Sequence, residues 1–436
     1  MQLLLAAMMA LTPAQAAKVD SIVATTMRGE HIAGLSLGIA RAGVPLYLKG
    51  YGERDVARAL PADPTTVYYV GSLTKQFTAA LVLQQVERGT FDLDAPIRRY
   101  VPEAGGTGGY TVAELLGQTS GLPSYTDRPQ AELAQLAQSD PSPQALWQLV
   151  AGASPLFAPG SAWQYSNSNY LLLGIALQNA TATEYAALLR DRIAAPLRLS
   201  ATAYGLAKHG QDVARGYAWN GVLSPMEMSR GTIDVAFSAG GMRSNVLDLL
   251  AWLEALRAGR VVSAPYVTAM TASVRLNDGI AAGYGFGFYA GNWYGYRVAD
   301  HGGDIDGFSC EDALVLDDGL ELAVLSNADR LDLRPLAKSL VAIVEPPRDA
   351  NLYAGLSQPA ENENPRVTAA VRAIASTPGF AALGPLASVE FTERRLEGGL
   401  VYDRYRLTFA TGQWWMTFGY RDDAAIESLT FEPDRR

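Results

Sequence analysis

The sequence predicts an α+β fold: one antiparallel sheet flanked by helices and a helical lobe, followed by a small C-terminal α+β domain. Three observations predict it. Short β-branched and aromatic runs lie near both ends of a long first region, while the stretch from Tyr110 to Tyr204 is patterned for helices. At 436 residues the chain is longer than a single core can keep filling, so a large domain with a smaller companion is expected. Residues 346–365 are polar and proline-rich, a linker by composition.

Taken in order, residues 1–17 begin with a short apolar run followed by Ala14-Gln15-Ala16, which fits the small-x-small rule for signal-peptide cleavage, although no Lys or Arg precedes the run. The expectation is an exported, periplasmic protein. The run is too short for a permanent membrane anchor. The main domain is expected over 18–345. It opens with a helix near Val19–Gly29, and "LSLGIARAGVPLYLKGYGERD" then reads as a β-hairpin turning at Arg41-Ala42-Gly43. A helix begins at Ser72. From Tyr284 the strands return in "YGFGFYAG", "WYGYRVADHGG", "CEDALVLD" and "LELAVLSNA", and "LRPLAKSLVAIV" closes the domain as a helix. Such a pattern pairs the N-terminal hairpin beside the late strands and leaves a cleft between sheet and helical lobe. Beyond the linker, 366–436 is expected to hold a helix at Val367–Ala375 and about four strands. There Trp414, Trp415 and Phe418 read as core.

Composition excludes several classes of function. Net charge is −9, and the basic residues are scattered, so nucleic acid and anionic membrane are poor partners. One cysteine, Cys310, forbids an intrachain disulfide, and three histidines show no metal-ligand spacing. No metal or organic cofactor is expected. The partner is a small molecule or short peptide.

Lys75 stands in an otherwise apolar helical run, three residues after Ser72. Residues three apart share a helix face, so Ser72 Oγ and Lys75 Nζ can meet. Near a helix N-terminus, free backbone N–H groups favour developing negative charge, which suits a nucleophile, and a desolvated lysine can take its proton. Alone, the pattern reads better as an N-cap serine with a lysine snorkelling to solvent. Tyr165-Ser166-Asn167 adds a phenol able to shuttle protons and an amide able to hold Lys75 and a substrate carbonyl. His301-Gly302-Gly303-Asp304 adds a strand stripped of side chains, where a substrate can lie with its carbonyl between the N–H groups of Ser72 and Asp304. His301 could hold the tetrahedral intermediate or relay protons with Tyr165, or serve as a structural histidine. Gly34-Leu35-Ser36-Leu37-Gly38 imitates a nucleophile elbow, but a hairpin follows instead of a helix, so Ser36 is read as an ordinary strand residue.

S-x-x-K, Y-x-N and H-G-G in this order resemble the serine β-lactamase and penicillin-binding-protein superfamily. The likeness is closer to its branch of class C β-lactamases, D-aminopeptidases and bacterial carboxylesterases. Blocks such as "GSLTKQFTAALVLQQVERGTFDLDAPIRRYVPE" and "FAPGSAWQYSNSNYLLLG" carry it over roughly Asp20 to Val344. The resemblance implies a β-lactamase-like domain with Ser72 acylated, Lys75 and Tyr165 as acid and base, and Asn167 as orienting amide. His301–Gly303 stand where true β-lactamases usually have K-T-G, and a histidine there implies a weaker, pH-dependent grip on a substrate carboxylate. Gln118, where a histidine is common, reads as scaffold. The expected function is hydrolysis of an ester or D-amino-acid amide through an acyl-enzyme, with a true β-lactamase or a noncatalytic sensor as alternatives.

Overall fold

Ala42 and Gly43 both take positive φ, 50° and 76°, forming the tight turn that a twisted two-residue hairpin needs. They join β1 (Gly34–Arg41) to β2 (Val44–Asp55), and a short β3 (Leu60–Pro61) lies beyond β2. The computed structural model describes residues 10–104, 109–207, 212–279 and 281–346, together with Arg348, Ala375, Phe380, 383–397, 400–420 and 426–433. The late strands are β4 (Tyr289–Trp293), β5 (Tyr296–Ile305), β6 (Phe308–Val315) and β7 (Leu320–Ser326). They complete a seven-stranded sheet of order β3-β2-β1-β7-β6-β5-β4. Leu35 lies opposite Ser326 and Arg41 opposite Leu320, so the N-terminal hairpin sits beside the last strand of the domain, as the sequence pattern predicts.

Every residue of β6 and β7 is buried, because helices cover both faces of the sheet. On one face α1 (Pro13–Gly29) packs Val19 and Val23 against Leu336, Ala337 and Leu340 of α2 (Arg334–Val344). In chain order four more helices serve the other face and are called αA to αD here: αA (Thr74–Glu87), αB (Asn167–Thr181), αC (Arg230–Gly240) and αD (Val246–Arg257). αA is the central one. From Leu73 to Leu83 it is buried throughout, with Phe77 stacked on Trp252 of αD at 4.0 Å.

Three elements differ from the sequence reading. α1 starts at Pro13, not near Val19, because Thr12 and Gln15 form a capping box and proline suits the first helical position. The expected cleavage point therefore falls inside this helix; residues 1–9 lie outside the described residues. Only the end of "YGFGFYAG" is strand, since Gly287 has φ 91° and the chain turns before Tyr289. In the C-terminal segment four strands form an antiparallel sheet, β8 (Leu386–Glu397), β9 (Leu400–Phe409), β10 (Gly412–Tyr420) and β11 (Ile426–Pro433). Phe418 and Met416 lie in its core and Trp414 stacks on Phe431, but Trp415 faces the other way. Alternation along β10 forces that split, and Trp415 instead lies under the guanidinium of Arg404 at 4.1 Å. The expected linker, apart from Pro346 and Arg348, and the expected helix, apart from Ala375, lie outside the described residues.

Glu321 is among the carboxyls of the covered sheet that couple folding to pH. Glu321 on β7 is fully buried beside Glu254, with Arg257 Nε 3.9 Å away. Burial pushes its carboxyl up to about 8; the Gly43 N–H opposes this and Glu254 adds to it. The folded state therefore keeps a proton that the unfolded chain releases above its ordinary value of 4.5. Stability is then lost as pH rises from that value through about 8. Glu321→Gln is expected to raise the thermal midpoint at pH 7–8 relative to wild type, with the difference shrinking below pH 5. Parallel melts across that range check it.

Candidate active site

Gly71 has φ 51° and begins a 3-10 turn, Gly71–Leu73, that runs straight into αA. A side chain at Gly71 would lie within 2.6–2.8 Å of the Asp304 backbone, so glycine is required for β5 to approach the turn. Gly303 repeats the constraint from the other side, since a Cβ there would lie 2.1 Å from the Val70 carbonyl. These two bare positions bring the backbone N–H of Asp304 beside Ser72, which is the placement an oxyanion site needs. Asp304's own carboxylate accepts from Ser309 Oγ at 2.7 Å.

Ser72 Oγ is the meeting point of two donors. Lys75 Nζ lies 2.9 Å away and the Tyr165 hydroxyl 2.7 Å away. Lys75 has no exposed surface. Its ammonium also donates to the Ala239 carbonyl at 2.7 Å and sits 4.7 Å from the Tyr165 ring centroid and 5.7 Å from that of Tyr170. The N-cap-and-snorkel alternative is therefore excluded by burial. The Ala239 carbonyl was not foreseen. It is turned toward αA by a break inside αC at Phe237, whose φ of 36° and ψ of −133° are strained for a phenylalanine. The carbonyl of the next residue, Ser238, accepts from Thr78 Oγ1 at 2.7 Å. Sequence offers only the "SAGG" that follows as a hint of irregular backbone.

Tyr165 is held by the segment on either side of it. Gln118, itself at φ 61°, accepts from the Ser166 N–H at 3.0 Å and from Asn169 Nδ2 at 2.5 Å, while its carbonyl accepts from the Gln164 N–H. Gln118 is thus the scaffold the sequence reading expects. Asn167 lines the same cleft as Ser72, but its amide nitrogen donates to Thr126 Oγ1 at 2.7 Å rather than orienting Lys75. The αB N-terminus fixes this. Asn167 is the first helical residue, and its backbone N–H is tied to Ser124 Oγ, which aims the side chain at the 124–126 loop.

His301 departs from its expected chemistry. It is 2 % exposed, its Nδ1 donates to the Gly302 carbonyl, and its Nε2 accepts from the Tyr284 hydroxyl at 3.0 Å. Burial, with the Lys75 charge second, pushes the imidazole down to about 3. It is neutral throughout the working range, so the pH-dependent cation expected there does not exist. Its nitrogens are engaged by Tyr284 and Gly302 and not by Tyr165, whose ring centroid is 5.9 Å away. Tyr284 was missed because the run that begins with it, "YGFGFYAG", reads only as a strand. It belongs with Trp163 and Tyr289 to an aromatic wall of the site. The kcat/KM profile of an ester substrate from pH 5 to 9 is expected to show no imidazole limb, and His301→Asn to keep the wild-type inflections. A limb near pH 6.5 lost in the variant would contradict this.

Two rival nucleophiles are eliminated. Ser36 is buried in β1 with its hydroxyl bonded to the Asp63 carbonyl at 2.7 Å and to Tyr68 at 2.9 Å. Cys310 is also buried, and its thiol is pushed well above its ordinary value by desolvation. Serine, amine, phenol and bare strand meet at one cleft.

The sequence model of the family described as Beta-lactamase matches residues 19–377. The chain belongs to the beta-lactamase family. Relatives within and around this family share its fold. A penicillin-binding protein homologue from Pyrococcus abyssi, solved as an octamer, superposes with a TM-score of 0.69 at 22% identity over 96% of this chain and 98% of that one. A D-stereospecific amidohydrolase from Streptomyces has a TM-score of 0.64 at 28% identity, covering 75% of this chain and 98% of that one. Protein flp of Staphylococcus aureus is 29% identical over 246 residues, 54% of this chain and 48% of that protein. The chain thus spans about half the length of that curated relative. In this beta-lactamase-family chain Ser72, Lys75 and Tyr165 are in mutual hydrogen-bond contact at the cleft, and among the described residues no helix is long and apolar enough to cross a membrane.

Proposed function

We propose that the protein hydrolyses an ester or an amide through an acyl-enzyme on Ser72, in the manner of a carboxylesterase or a D-amino-acid peptidase. One observation carries this: Ser72 Oγ is bonded at once to a buried lysine and to a tyrosine hydroxyl at the edge of an open cleft. In acylation the phenolate form of Tyr165, favoured by the Lys75 ammonium beside it, takes the Ser72 proton as Oγ attacks the carbonyl carbon, and the oxyanion rests on backbone N–H groups. Tyr165 then protonates the leaving atom. In the second half it takes a proton from water, which attacks the acyl carbon and frees Ser72.

Ester or amide ranks above β-lactam because His301 is neutral and buried, so the strand offers a lactam carboxylate no cation there. The Streptomyces amidohydrolase, similar at 28% identity, supports the amide side. The cleft encloses about 2830 Å³, several times the roughly 300–1,000 Å³ of a small-ligand pocket, which suits an extended substrate. Tyr402, Arg404, Trp415 and Thr417 of the C-terminal sheet border it. The test is relative kcat/KM for a p-nitrophenyl ester, a D-amino-acid amide and a penicillin. Turnover of ester or amide well above penicillin is expected, and a penicillin preferred over both would overturn the ranking.

A further inference from the structure

β4 pairs with β5 only as far as Asp300, opposite Tyr289, so from His301 onward β5 is the open edge of the sheet. At that edge Gly302 lies opposite Glu311 of β6, and residues so paired present their side chains to one face. Gly302 has none. Glu311 uses the vacated space, with its Oε2 only 3.0 Å from the point where a Cβ on Gly302 would stand. The residue is 2 % exposed; no donor reaches its Oε1, and its carboxyl shares a hydrogen bond with that of Asp300. Among the described residues no cation lies within ion-pair distance of it. Arg334, the nearest basic group, is given to Asp300 at 2.5 Å and lies over the Tyr289 ring at 4.9 Å. A buried carboxyl oxygen without a partner is costly, and here it borders the cleft that also touches Ser72, Tyr165, His301 and Gly302.

The direction of the reaction places one half of the substrate at this point. Tyr165 delivers the proton to the departing atom, so the leaving group lies on its side of Ser72. The Tyr165 ring is near His301, whereas the Asp304 backbone, toward the other end of the open edge, is at the nucleophile. The leaving group therefore passes over His301 and Gly302 and meets Glu311.

We propose that Glu311 sets specificity on the leaving-group side, its carboxyl receiving a protonated amine carried by the leaving group. This rests on the serine-hydrolase reading above. The other charges acting on Glu311 are those of Asp300, Arg334, Asp312 and Asp332, and Lys338 lines the same cleft. Burial and then the Asp300 charge push the Glu311 carboxyl well above its ordinary range, so the empty site holds a proton that an arriving ammonium replaces.

Two thioesters with one acyl group test this: S-acetyl dimethylaminoethanethiol, cationic on its leaving group, and S-acetyl thioglycolate, anionic there. Released thiol gives kcat/KM for each. In wild type the cationic ester is expected to lead by roughly tenfold beyond the ratio of the two esters' uncatalysed hydrolysis rates, and Glu311→Gln to bring the ratio back close to that uncatalysed value. Glu311→Met, near in volume, is expected to do the same, which separates the charge from packing. A ratio unchanged in both variants, or a wild type preferring the anionic ester, would overturn the assignment. Failure of a fluorophosphonate to label Ser72 in wild type would instead overturn the serine-hydrolase reading and this assignment with it.

Discussion

Lys75→Ala is expected to lower kcat/KM for an ester by about 10³-fold, within the 10²–10⁴ range that a positioned proton-transfer group supplies. The amine is the group that couples the site. It holds Ser72 Oγ at 2.9 Å, anchors itself on the Ala239 carbonyl at 2.7 Å, and lies close against the face of the Tyr165 ring. Without it Ser72 loses one of its two hydrogen-bond donors, and the tyrosine loses the Lys75 charge that favours its phenolate. Lys75→Arg is expected to fare little better. A planar guanidinium cannot reproduce a compact ammonium between a hydroxyl and a carbonyl in a fully buried slot. Single-turnover acylation measured for wild type and both variants decides this, and a loss smaller than about threefold would contradict the assigned role.

Gly303→Ala is the second large effect, and it acts through geometry alone. A methyl there would stand 2.1 Å from the Val70 carbonyl, a distance that neither backbone can tolerate, so β5 must retreat from the turn carrying Ser72. The Asp304 N–H retreats with it. Losing one well-placed oxyanion donor costs about 10²–10³-fold in kcat, with KM changing less. Gly302→Ala is the informative contrast. Its Cβ would meet only the Glu311 carboxyl at 3.0 Å, the end of a side chain, so a much smaller loss is expected. Equal losses in the two variants would show that the close approach of β5 to Val70 is not what positions the donor.

The folding pattern was legible wherever local chemistry and tertiary packing agree. β1 and β2 could be paired from the turn at Ala42-Gly43, and the helix carrying Ser72 from its unbroken apolar run. Ser72, Lys75 and Tyr165 were legible because their spacing is set by one helix turn and one anchored segment. What was hidden depends on backbone from elsewhere. The Ala239 carbonyl needs the break at Phe237, and the Asn167 side chain is redirected by Ser124 and Thr126, residues some forty positions away. His301 was misjudged for the same reason. Its type suggests titration near neutrality, but only the fold shows it buried behind Tyr284 and near the Lys75 charge. Trp415 repeats the lesson, since three aromatic residues in five positions of one strand cannot all face one core.

The central claim is that Ser72, activated by Lys75 and Tyr165, is the residue that becomes acylated. Intact-mass spectrometry after incubation with a fluorophosphonate, followed by peptide mapping, measures it directly. The account predicts one adduct per chain, located at Ser72, absent from Ser72→Ala and slowed in Lys75→Ala. An adduct at Ser36 or another hydroxyl, or equal labelling of wild type and Ser72→Ala, would contradict it.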